Sequence, residues 1–500
     1  MKLPRVSDPG LWRLNIGIAL VLSASATAGY NASQINSLLV LPEFKLFLSG
    51  LSSSAEGIII ASFSLGAFLA FIPASYAADI LGRKKSITIG AGLVIVSAIV
   101  QATVQQVWVF FAARVVTGIG VGFSQTAAPL LIAETAHPRH RRVLTGLYNS
   151  LWFCGSISAA GLSLLTLPLA SSWSWRLPCL LQMLYPISIL LGLLVMPESP
   201  RWLVSRGRTG EARSVLTRYH ADGNLNDPAV QEEFEQISSS INVETDLKGN
   251  SGWRTFLQSK GDAHRLLICI LLGFMQEWTG NGVTSYYLPP ILSSVGIHDS
   301  RHQGIVNSCL QFWNLGFAVT GAKMSDRYGR RILWLSATTL MFIFLSAATT
   351  MAGIFSELDI YETGIAVVPM LFLFCAAYDF AYMPLFIAYP AEILPFQLRA
   401  KGLAITLTTD SLACFFNQYV NPVAFDALQW RYFLVYVACL VFFLGVVYFL
   451  FPETQGKSLE EVARIFDRPE PKTLPSSSEG LSPAETVECK EARITTNSAA

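Results

Sequence analysis

Long apolar blocks run through most of this 500-residue chain. Many of them reach about 18 residues or more with few charges, the length at which a helix crosses roughly 30 Å of hydrocarbon. Charged residues make up only 14% of the chain, whereas a soluble domain carries about a quarter. We therefore expect an all-α membrane protein and exclude a soluble enzyme, a disordered scaffold and a nucleic-acid binder.

The blocks predict twelve transmembrane helices, named spans one to twelve. They cover residues 15–39, 57–77, 86–104, 107–131, 145–168, 177–196, 266–293, 303–323, 332–352, 364–388, 402–424 and 432–451. The first block continues in helical register through Asn31, Ser33 and Gln34 and lacks a small-residue cleavage site. We therefore interpret it as a span rather than a cleaved signal peptide.

The basic residues between the spans predict the orientation, because Lys and Arg concentrate in cytoplasmic loops. Alternate loops hold Arg83, Lys84, Lys85, Arg139, Arg141, Arg142, Lys323, Arg327, Arg330, Arg331, Arg399 and Lys401. The opposite loops hold few basic residues, so we expect both termini in the cytoplasm.

The spans divide the chain into five segments. We expect a cytoplasmic N-terminus over 1–14, six-helix bundles over 15–196 and 266–451, a cytoplasmic central loop over 197–265, and a cytoplasmic motif with a tail over 452–500. The central loop contains Ala229–Ile241, whose pattern is typical of a short amphipathic helix. The tail is rich in Pro, Ser, Glu and Thr and is predicted to be disordered.

The chemistry-bearing residues do not form an enzyme motif. The eight Cys residues show no metal-ligand spacing, and there is no His cluster, nucleophile elbow or phosphate loop. We therefore expect no enzyme activity, no metal and no cofactor.

The two six-span halves repeat three motifs in the same order, always on the basic side. An acidic-Gly-basic motif follows spans two and eight, a Glu and an Arg follow spans four and ten, and a Pro-Glu motif follows spans six and twelve. The members are Asp79, Gly82, Arg83, Glu134, Arg142, Glu198 and Arg201 in the first half, and Asp326, Gly329, Arg330, Glu392, Arg399 and Glu453 in the second. Carboxylate–Arg pairs at helix ends can act as a cytoplasmic latch between two rocking bundles. Alternatively, these residues only anchor loops in anionic headgroups.

These motifs resemble the sugar porter family of the major facilitator superfamily. The resemblance also rests on Gly29-Tyr30-Asn31, Arg114 to Gly122, Trp175-Arg176-Leu177-Pro178, Pro197 to Leu203 and Pro452 to Glu461. Finer features, at 136–141, 278–287 and 417–422, are most like the fungal lactose-permease and cellodextrin branch. The resemblance implies two six-helix bundles in the major facilitator fold, alternating access, a carbohydrate site near mid-membrane and a place in the plasma membrane.

A sugar site needs neutral donors and acceptors together with rings on which the sugar can stack. Such polar groups are costly in a membrane unless they face a cavity. The candidate substrate-binding residues are Gln276, Glu277, Asn281, Gly282 and Tyr286 in span seven, Asn307 in span eight, and Asn417 and Gln418 in span eleven. Alternatively, Tyr286 is a packing or gate residue and Asn307 only bonds neighbouring helices.

The chain departs from the family pattern at several positions. Span ten lacks the Trp that many members have near the site, Glu277 stands where the family has Gln, and Leu131 stands where it has Tyr. The family's span-five Gln has no clear counterpart, since Trp152 to Ser156 occupies that region. These departures leave the exact substrate open.

Proton coupling is also open. In proton-coupled members an Asp follows Gly-Tyr in span one and pairs with the span-four Arg, but here Asn31 stands opposite Arg114. An amide cannot titrate, which favours a facilitator. Yet Glu277, Asp379 and Asp410 lie inside apolar spans, and an intramembrane acid is a candidate proton carrier. We therefore keep uniport and proton symport as alternatives, with a carbohydrate, protons and the lipid bilayer as the expected partners.

Two rival functions remain. One is export of a non-sugar specialised metabolite or organic acid by a sugar-porter-like carrier. The other is a nutrient sensor that binds sugar without moving it, although such receptors usually carry longer cytoplasmic tails than this chain has.

Overall fold

The computed structural model describes residues 9–466, except for 222, 225–226, 248–252, 287, 295, 326, 359, 456 and 458. The predicted disordered tail, Tyr287 and Asp326 lie outside these residues, as do the side chains of Arg142 and Tyr286. Within the described residues the chain is helical and contains no strand.

Twelve membrane-crossing spans form two six-helix bundles, as predicted. In chain order their helices are Pro9–Val21 with Ser23–Leu38, Ser53–Leu81, Arg83–Thr103, Val107–Thr135, Pro138–Thr166, Trp173–Leu181 with Leu184–Val195, Lys260–Trp278 with Asn281–Tyr286 and Leu288–Ser294, Ser300–Ser325, Arg330–Leu358, Tyr361–Ile393, Phe396–Leu428 and Tyr432–Leu450. A short helix, Pro42–Phe47, lies between spans one and two.

The spans differ in how apolar they are. Within the described residues, nine helical stretches are long and apolar enough to cross a membrane, and one of them, Lys401–Leu450, contains both span eleven and span twelve. Among the described side chains, span five contains the apolar stretch Leu151–Thr166. Spans five and eight pack against each other across the two halves.

Each half has its own apolar core. In the second half the buried cluster includes Trp334, Phe374 and Tyr382. In the first half one cluster surrounds Ile18 and another contains the ring of Trp175. Because these cores do not merge, the two bundles are separate packing units joined along an interface.

Span seven is broken, and the prediction of one continuous helix over 266–293 was wrong. The first helix, Lys260–Trp278, stops just before Gly280, whose φ of 102° lies in the left-handed region that favours glycine. The chain then resumes as the short helices Asn281–Tyr286 and Leu288–Ser294. The break falls within a polar stretch of the predicted span, which includes Gln276, Glu277, Thr279 and Asn281.

The central loop contains the helices Pro200–Ser205, Thr209–His220 and Pro228–Leu247 and the 3₁₀ helix Trp253–Leu257, and a last helix, Leu459–Phe466, follows span twelve. His220 ties the loop to the membrane bundle, because its ring lies 2.8 Å from Glu233 Oε2 and 3.1 Å from the Thr135 carbonyl oxygen. Arg141 also bonds Glu233, at 3.1 Å. Burial alone raises the pKa of Glu233, but the hydrogen bonds and charges of His220 and Arg141 outweigh it and hold that pKa below its ordinary value.

Candidate functional site

Polar side chains of spans one and eight join the two halves. Asn36 Nδ2 donates to Asn307 Oδ1 at 3.1 Å, and Asn307 Nδ2 donates to Ser37 Oγ at 3.4 Å. Gln311, one turn after Asn307, donates to the same Asn307 oxygen at 3.4 Å. Asn307 is therefore buried at the interface between the bundles rather than facing lipid.

Span five continues this polar contact. Ser156 Oγ donates to Gln311 Oε1 at 2.5 Å and lies 2.6 Å from Ser33 Oγ of span one. Ser156 thus occupies the region where the family's span-five Gln has no counterpart. The three side chains link spans one, five and eight into one buried network.

A second polar contact joins spans two and eleven. Ser64 Oγ donates to Gln418 Oε1 at 3.1 Å and lies 3.2 Å from Cys414 Sγ. Further out, Ser53 hydrogen-bonds Asp426. These contacts lie between mid-membrane and the end opposite the basic loops, so they hold the halves together at that end.

Gly57 brings spans two and eleven into close contact at the same end. A Cβ built on Gly57 would overlap the carbonyl oxygen of Tyr419. A side chain at this position would therefore separate the two spans.

Span seven turns Gln276 and Glu277 into the protein, with only 8% and 6% of their surfaces exposed. The Tyr378 hydroxyl donates to the Gln276 carbonyl at 3.1 Å, and Asn417 Nδ2 donates to the Glu277 carbonyl at 3.2 Å. Tyr436 in turn donates to Asn417 Oδ1 at 2.6 Å. Spans ten, eleven and twelve thereby fix the backbone of span seven just before its break.

Two side-chain oxygens in this region lack a hydrogen-bond donor. They are Gln276 Oε1 and Glu277 Oε2, both buried. Buried polar atoms normally have a partner from the protein, from water or from a ligand. These oxygens can therefore accept hydrogen bonds from hydroxyl groups that enter the site.

The remaining span-seven candidates follow the break. Asn281 is partly buried and is the first residue of its helix, and its carbonyl accepts a hydrogen bond from Thr284 Oγ1 at 3.0 Å. Gly282 is buried, and a Cβ built there would lie 2.7 Å from Glu277 Oε2. Gly282 therefore leaves room for the Glu277 carboxylate.

Asn31 and Arg114 lie together in the first half, as their pairing in the sequence suggested. Arg114 donates to the Asn31 carbonyl at 3.3 Å and to Gln34 Oε1 at 2.9 Å. Asn31 uses its own side chain to donate to the Thr27 carbonyl at 2.8 Å. The contact between spans one and four thus involves neutral acceptors. Gln34 appeared in the sequence only as a polar residue of span one, so its contact with Arg114 is new.

Asp379 is buried in span ten, and span eight supplies its neighbour. In the amide orientation that satisfies both of its groups, Asn314 donates to Asp379 Oδ2 at 3.1 Å. Asp379 therefore has a hydrogen-bond donor that Glu277 Oε2 lacks.

The repeated motifs form the same arrangement at the basic end of the first half. Glu198 accepts hydrogen bonds from the backbone nitrogens of Arg83, at 3.1 Å, and Lys84, at 3.2 Å. A carboxylate in this position satisfies the free N–H groups at the start of span three and complements the helix dipole. Arg83 pairs with Glu134 at 3.2 Å and with Asp79 at 3.3 Å.

The second half repeats these contacts. Glu453 accepts from the backbone nitrogens of Arg330, at 2.9 Å, and Arg331, at 3.1 Å. Arg330 pairs with Glu392 at 3.0 Å, and Thr454 donates to the same carboxylate at 2.5 Å. The described contacts of these motifs lie within one half each, so they brace each bundle at its basic end.

The other motif residues lie at the starts of helices. Arg201 belongs to the first turn of Pro200–Ser205, and Arg399 to the first turn of span eleven. Arg142 lies near the start of span five.

Two braced helical bundles, joined by buried amide and hydroxyl groups, define a membrane carrier. The chain belongs to the family described as "Sugar (and other) transporter", whose model matches residues 18–466. It is therefore a multi-pass membrane transporter of the major facilitator fold and not an enzyme.

Two fungal relatives show similar levels of identity. The "MFS-type transporter oryC" of Aspergillus oryzae is 30% identical over 420 residues, which cover 82% of this chain and 76% of the relative. "Hexose transporter 2" of Kluyveromyces lactis is 30% identical over 429 residues, covering 83% and 75%. Neither belongs by name to the lactose-permease or cellodextrin branch.

Solved structures of the Escherichia coli xylose transporter XylE share the fold. The inward open conformation has a TM-score of 0.73 at 22% identity and covers 90% of this chain and 98% of that one. The proton:xylose symporter XylE bound to 6-bromo-6-deoxy-D-glucose has a TM-score of 0.73 at 21% identity, covering 92% and 100%. At this identity the likeness concerns the fold alone.

Proposed function

We propose that this protein carries a hexose or a disaccharide across the plasma membrane by alternating access. The observation that carries the proposal is the buried row of amides, Gln276, Asn307, Asn417 and Gln418, at or beside the contact between the halves. Neutral amides suit sugar hydroxyls because they donate and accept hydrogen bonds without a charge that needs neutralising. The names of the relatives, which include hexose transporters, support the same substrate class.

In this proposal the sugar binds beside the break in span seven. Gln276 Oε1 and Glu277 Oε2 accept hydrogen bonds from sugar hydroxyls, since neither has a donor among the described residues. The second-half side of the site also contains Asn281, Gly282, Tyr286, Asn417 and Gln418. Asn307 contacts span one, so its hydrogen bonds depend on whether the interface is closed. Movement of the short helices after Gly280 would then open or close access from the far side.

The basic end faces the cytoplasm in this proposal, with both termini on that side, because Lys and Arg favour cytoplasmic loops. The contacts of Glu198 and Glu453 then brace each bundle at its cytoplasmic end. Such bracing lets each half move as a unit while the interface changes.

A hexose is the first substrate to test, because several relatives are named hexose or galactose transporters. The sequence features shared with the lactose-permease and cellodextrin branch make a disaccharide the second. A non-sugar metabolite remains the alternative, since the relative oryC is named only as a transporter.

Counterflow in proteoliposomes tests this proposal without any driving gradient. The purified protein is reconstituted with unlabelled D-glucose, D-galactose, D-xylose, cellobiose or lactose inside, and entry of the same labelled sugar is measured. We expect transient accumulation of at least one sugar, which protein-free liposomes lack. Absence of counterflow for all five sugars would refute a sugar substrate.

A matched pair of variants tests whether Gln276 belongs to the sugar-binding site. Gln276→Ala removes a buried acceptor that we place against the sugar, so the half-saturating concentration should rise about tenfold, as expected for a lost hydrogen bond of about 1.4 kcal/mol. Gln236→Ala makes the same change on an exposed central-loop helix, where the Gln236 side chain donates to Glu232. An equal effect of both variants would contradict the site.

A further inference from the structure

Two acidic residues of the second half, Glu277 and Asp410, lie on adjoining parts of spans seven and eleven. Gly273 and Glu277 are one helical turn apart, so they lie on the same face of span seven. A Cβ built on Gly273 would lie 2.6 Å from the Asp410 backbone nitrogen. Span eleven therefore presses Asp410 against that face, and the two carboxylates interact electrostatically.

Neither carboxylate has all the hydrogen-bond donors it would need if ionised. Glu277 Oε2 and Asp410 Oδ1 are buried without a partner. Glu277 is 94% buried, since 6% of its surface is exposed, whereas Asp410 is only partly buried. A proton bound to one of the two carboxylates would provide the missing donor.

Among the described residues, the groups that interact with this pair include no cation. They are Tyr378 of span ten, Cys414 of span eleven and Tyr436 of span twelve. Two carboxylates in such a setting cannot both be ionised without a large cost, because like charges repel and burial disfavours charge.

A chain of side chains connects the pair to the contact between the halves. The Cys414 thiol hydrogen-bonds the Glu277 carboxyl group. On span eleven, Asp410, Cys414 and Gln418 follow one another at four-residue spacing, and Gln418 Nε2 donates to Cys414 Sγ at 3.4 Å. Ser64 of the first half contacts both Cys414, at 3.2 Å, and Gln418, at 3.1 Å.

We propose that Glu277 and Asp410 share one exchangeable proton, and that its binding and release are coupled to the contact between the halves through Cys414 and Ser64. This inference rests on the proposed sugar transport and makes the protein a proton symporter whose coupling group lies outside spans one and four. The carboxylate takes up a proton from water on one side as an O–H bond forms. On the other side that bond breaks and the proton returns to water, and no other bond changes.

The test separates transport from coupling in the same proteoliposomes. Counterflow with the sugar selected from the five-sugar panel, beginning with D-[¹⁴C]glucose, reports transport alone. Uptake under a gradient of one pH unit, acid outside and with the membrane potential clamped to zero, reports coupling. One proton per sugar should support accumulation that approaches tenfold, because one pH unit is worth 1.36 kcal/mol.

Asp410→Asn is the decisive variant, because Asp410 is not among the proposed sugar ligands. We expect it to keep counterflow and to lose accumulation under the pH gradient. Glu277→Gln should lose accumulation as well. The control is Glu357→Gln at the exposed outer end of span nine, where Glu357 lies 3.8 Å from Arg431, and it should accumulate sugar as the unchanged protein does.

Other results would overturn the inference. Counterflow without accumulation in the unchanged protein would show uniport and leave the proposed function intact. Undiminished accumulation in Asp410→Asn would remove the pair from the mechanism. Loss of counterflow in every preparation, including the unchanged protein, would refute the proposed function and with it the coupling.

Chemical labelling of the unchanged protein tests the inference even if a variant does not fold. Dicyclohexylcarbodiimide reacts with protonated carboxyl groups in apolar surroundings, so the unchanged protein at pH 6 should be labelled on Glu277 or Asp410, as read by peptide mass spectrometry. The selected sugar should reduce this labelling severalfold. Absence of label from both residues between pH 5 and pH 8 would contradict a shared proton.

Discussion

Replacing Gly82 tests whether the repeated motif stabilises the first bundle. Gly82 has φ 98° and ψ 161°, a region that residues other than glycine reach at a cost of about 1–3 kcal/mol. A Cβ there would also lie 2.5 Å from Glu198 Oε2. The carboxylate would have to leave the start of span three, which weakens hydrogen bonds to a charged group worth about 1.5–3 kcal/mol. Gly82→Ala should therefore cost roughly 3–5 kcal/mol in total.

Gly92→Ala is the matched control for this change. Gly92 lies within the same helix, Arg83–Thr103, and a Cβ there would meet nothing within 4 Å. Alanine at a helical position without strain should stabilise by about 0.4–1 kcal/mol. The two substitutions thus add the same methyl group, one just before the helix and one within it, with opposite expected effects.

Thermal unfolding of the detergent-purified protein, followed by tryptophan fluorescence, provides the measurement. If the first bundle unfolds as a unit of about 200 residues, each kcal/mol moves the midpoint by about 2–4 °C. Gly82→Ala should therefore lower the midpoint by roughly 6–20 °C, and Gly92→Ala should leave it equal or slightly higher. Equal midpoints for both variants would refute the proposed role of Glu198 as the cap of span three.

Three further predictions concern the loop, the site and the interface. The lowered pKa of Glu233 means that its contribution to stability is complete above about pH 4.3, the value for unfolded Glu, and is lost as pH falls through the lower folded pKa. The midpoint difference between the unchanged protein and Glu233→Gln should therefore shrink below pH 4; a difference that grows as the pH falls below 4 would contradict it. Tyr436→Phe removes the hydrogen-bond donor to Asn417, so the half-saturating sugar concentration in counterflow should rise about three- to tenfold. An unchanged half-saturating concentration would show that Asn417 is not part of the sugar-binding site. Gly57→Val should block counterflow because the larger side chain forces spans two and eleven apart. Gly161→Val is the control, since a Cβ there meets nothing within 4 Å, and it should leave counterflow unchanged. Normal counterflow in Gly57→Val would show that transport does not require close contact between spans two and eleven.

Features that depend on local sequence were predictable. The twelve spans follow from apolar length, and the repeat predicted that Glu198 and Glu453 have equivalent roles. The structure gives both residues the same task, which is to accept hydrogen bonds from the first backbone nitrogens of a helix. Glycine and glutamate at fixed positions were therefore informative even before any contact was known.

The ends of the spans were less predictable. Span eleven was predicted over 402–424, whereas its helix runs over Phe396–Leu428. The helix continues past the apolar stretch because its backbone hydrogen bonds persist where the side chains become polar. Hydropathy measures the apolar part of a helix and not the helix itself.

Contacts between distant parts of the chain could not be predicted from one sequence. Ser156 and Gln311 are 155 positions apart. In the sequence, each is a single polar residue within an apolar span, and nothing indicates that the two are in contact. Cys414 reads as a small hydrophobic residue, yet it contacts Ser64 across the interface. Only the packing of the bundles shows which polar residues face one another and which are isolated.

The distribution of contacts indicates which parts of the molecule can move. The charged contacts of Glu198 and Glu453 connect helices of the same half, and charge-assisted hydrogen bonds of this kind are strong. The named contacts between the halves are mostly neutral hydrogen bonds, such as those from Asn36 to Asn307 and from Ser64 to Gln418, and Ser53–Asp426 is the exception among them. Each neutral bond contributes only about 0.5–1.5 kcal/mol net, because water replaces it when it opens. Rocking of intact bundles about a weak polar interface therefore costs less than rearrangement within either bundle, which is the condition that alternating access requires.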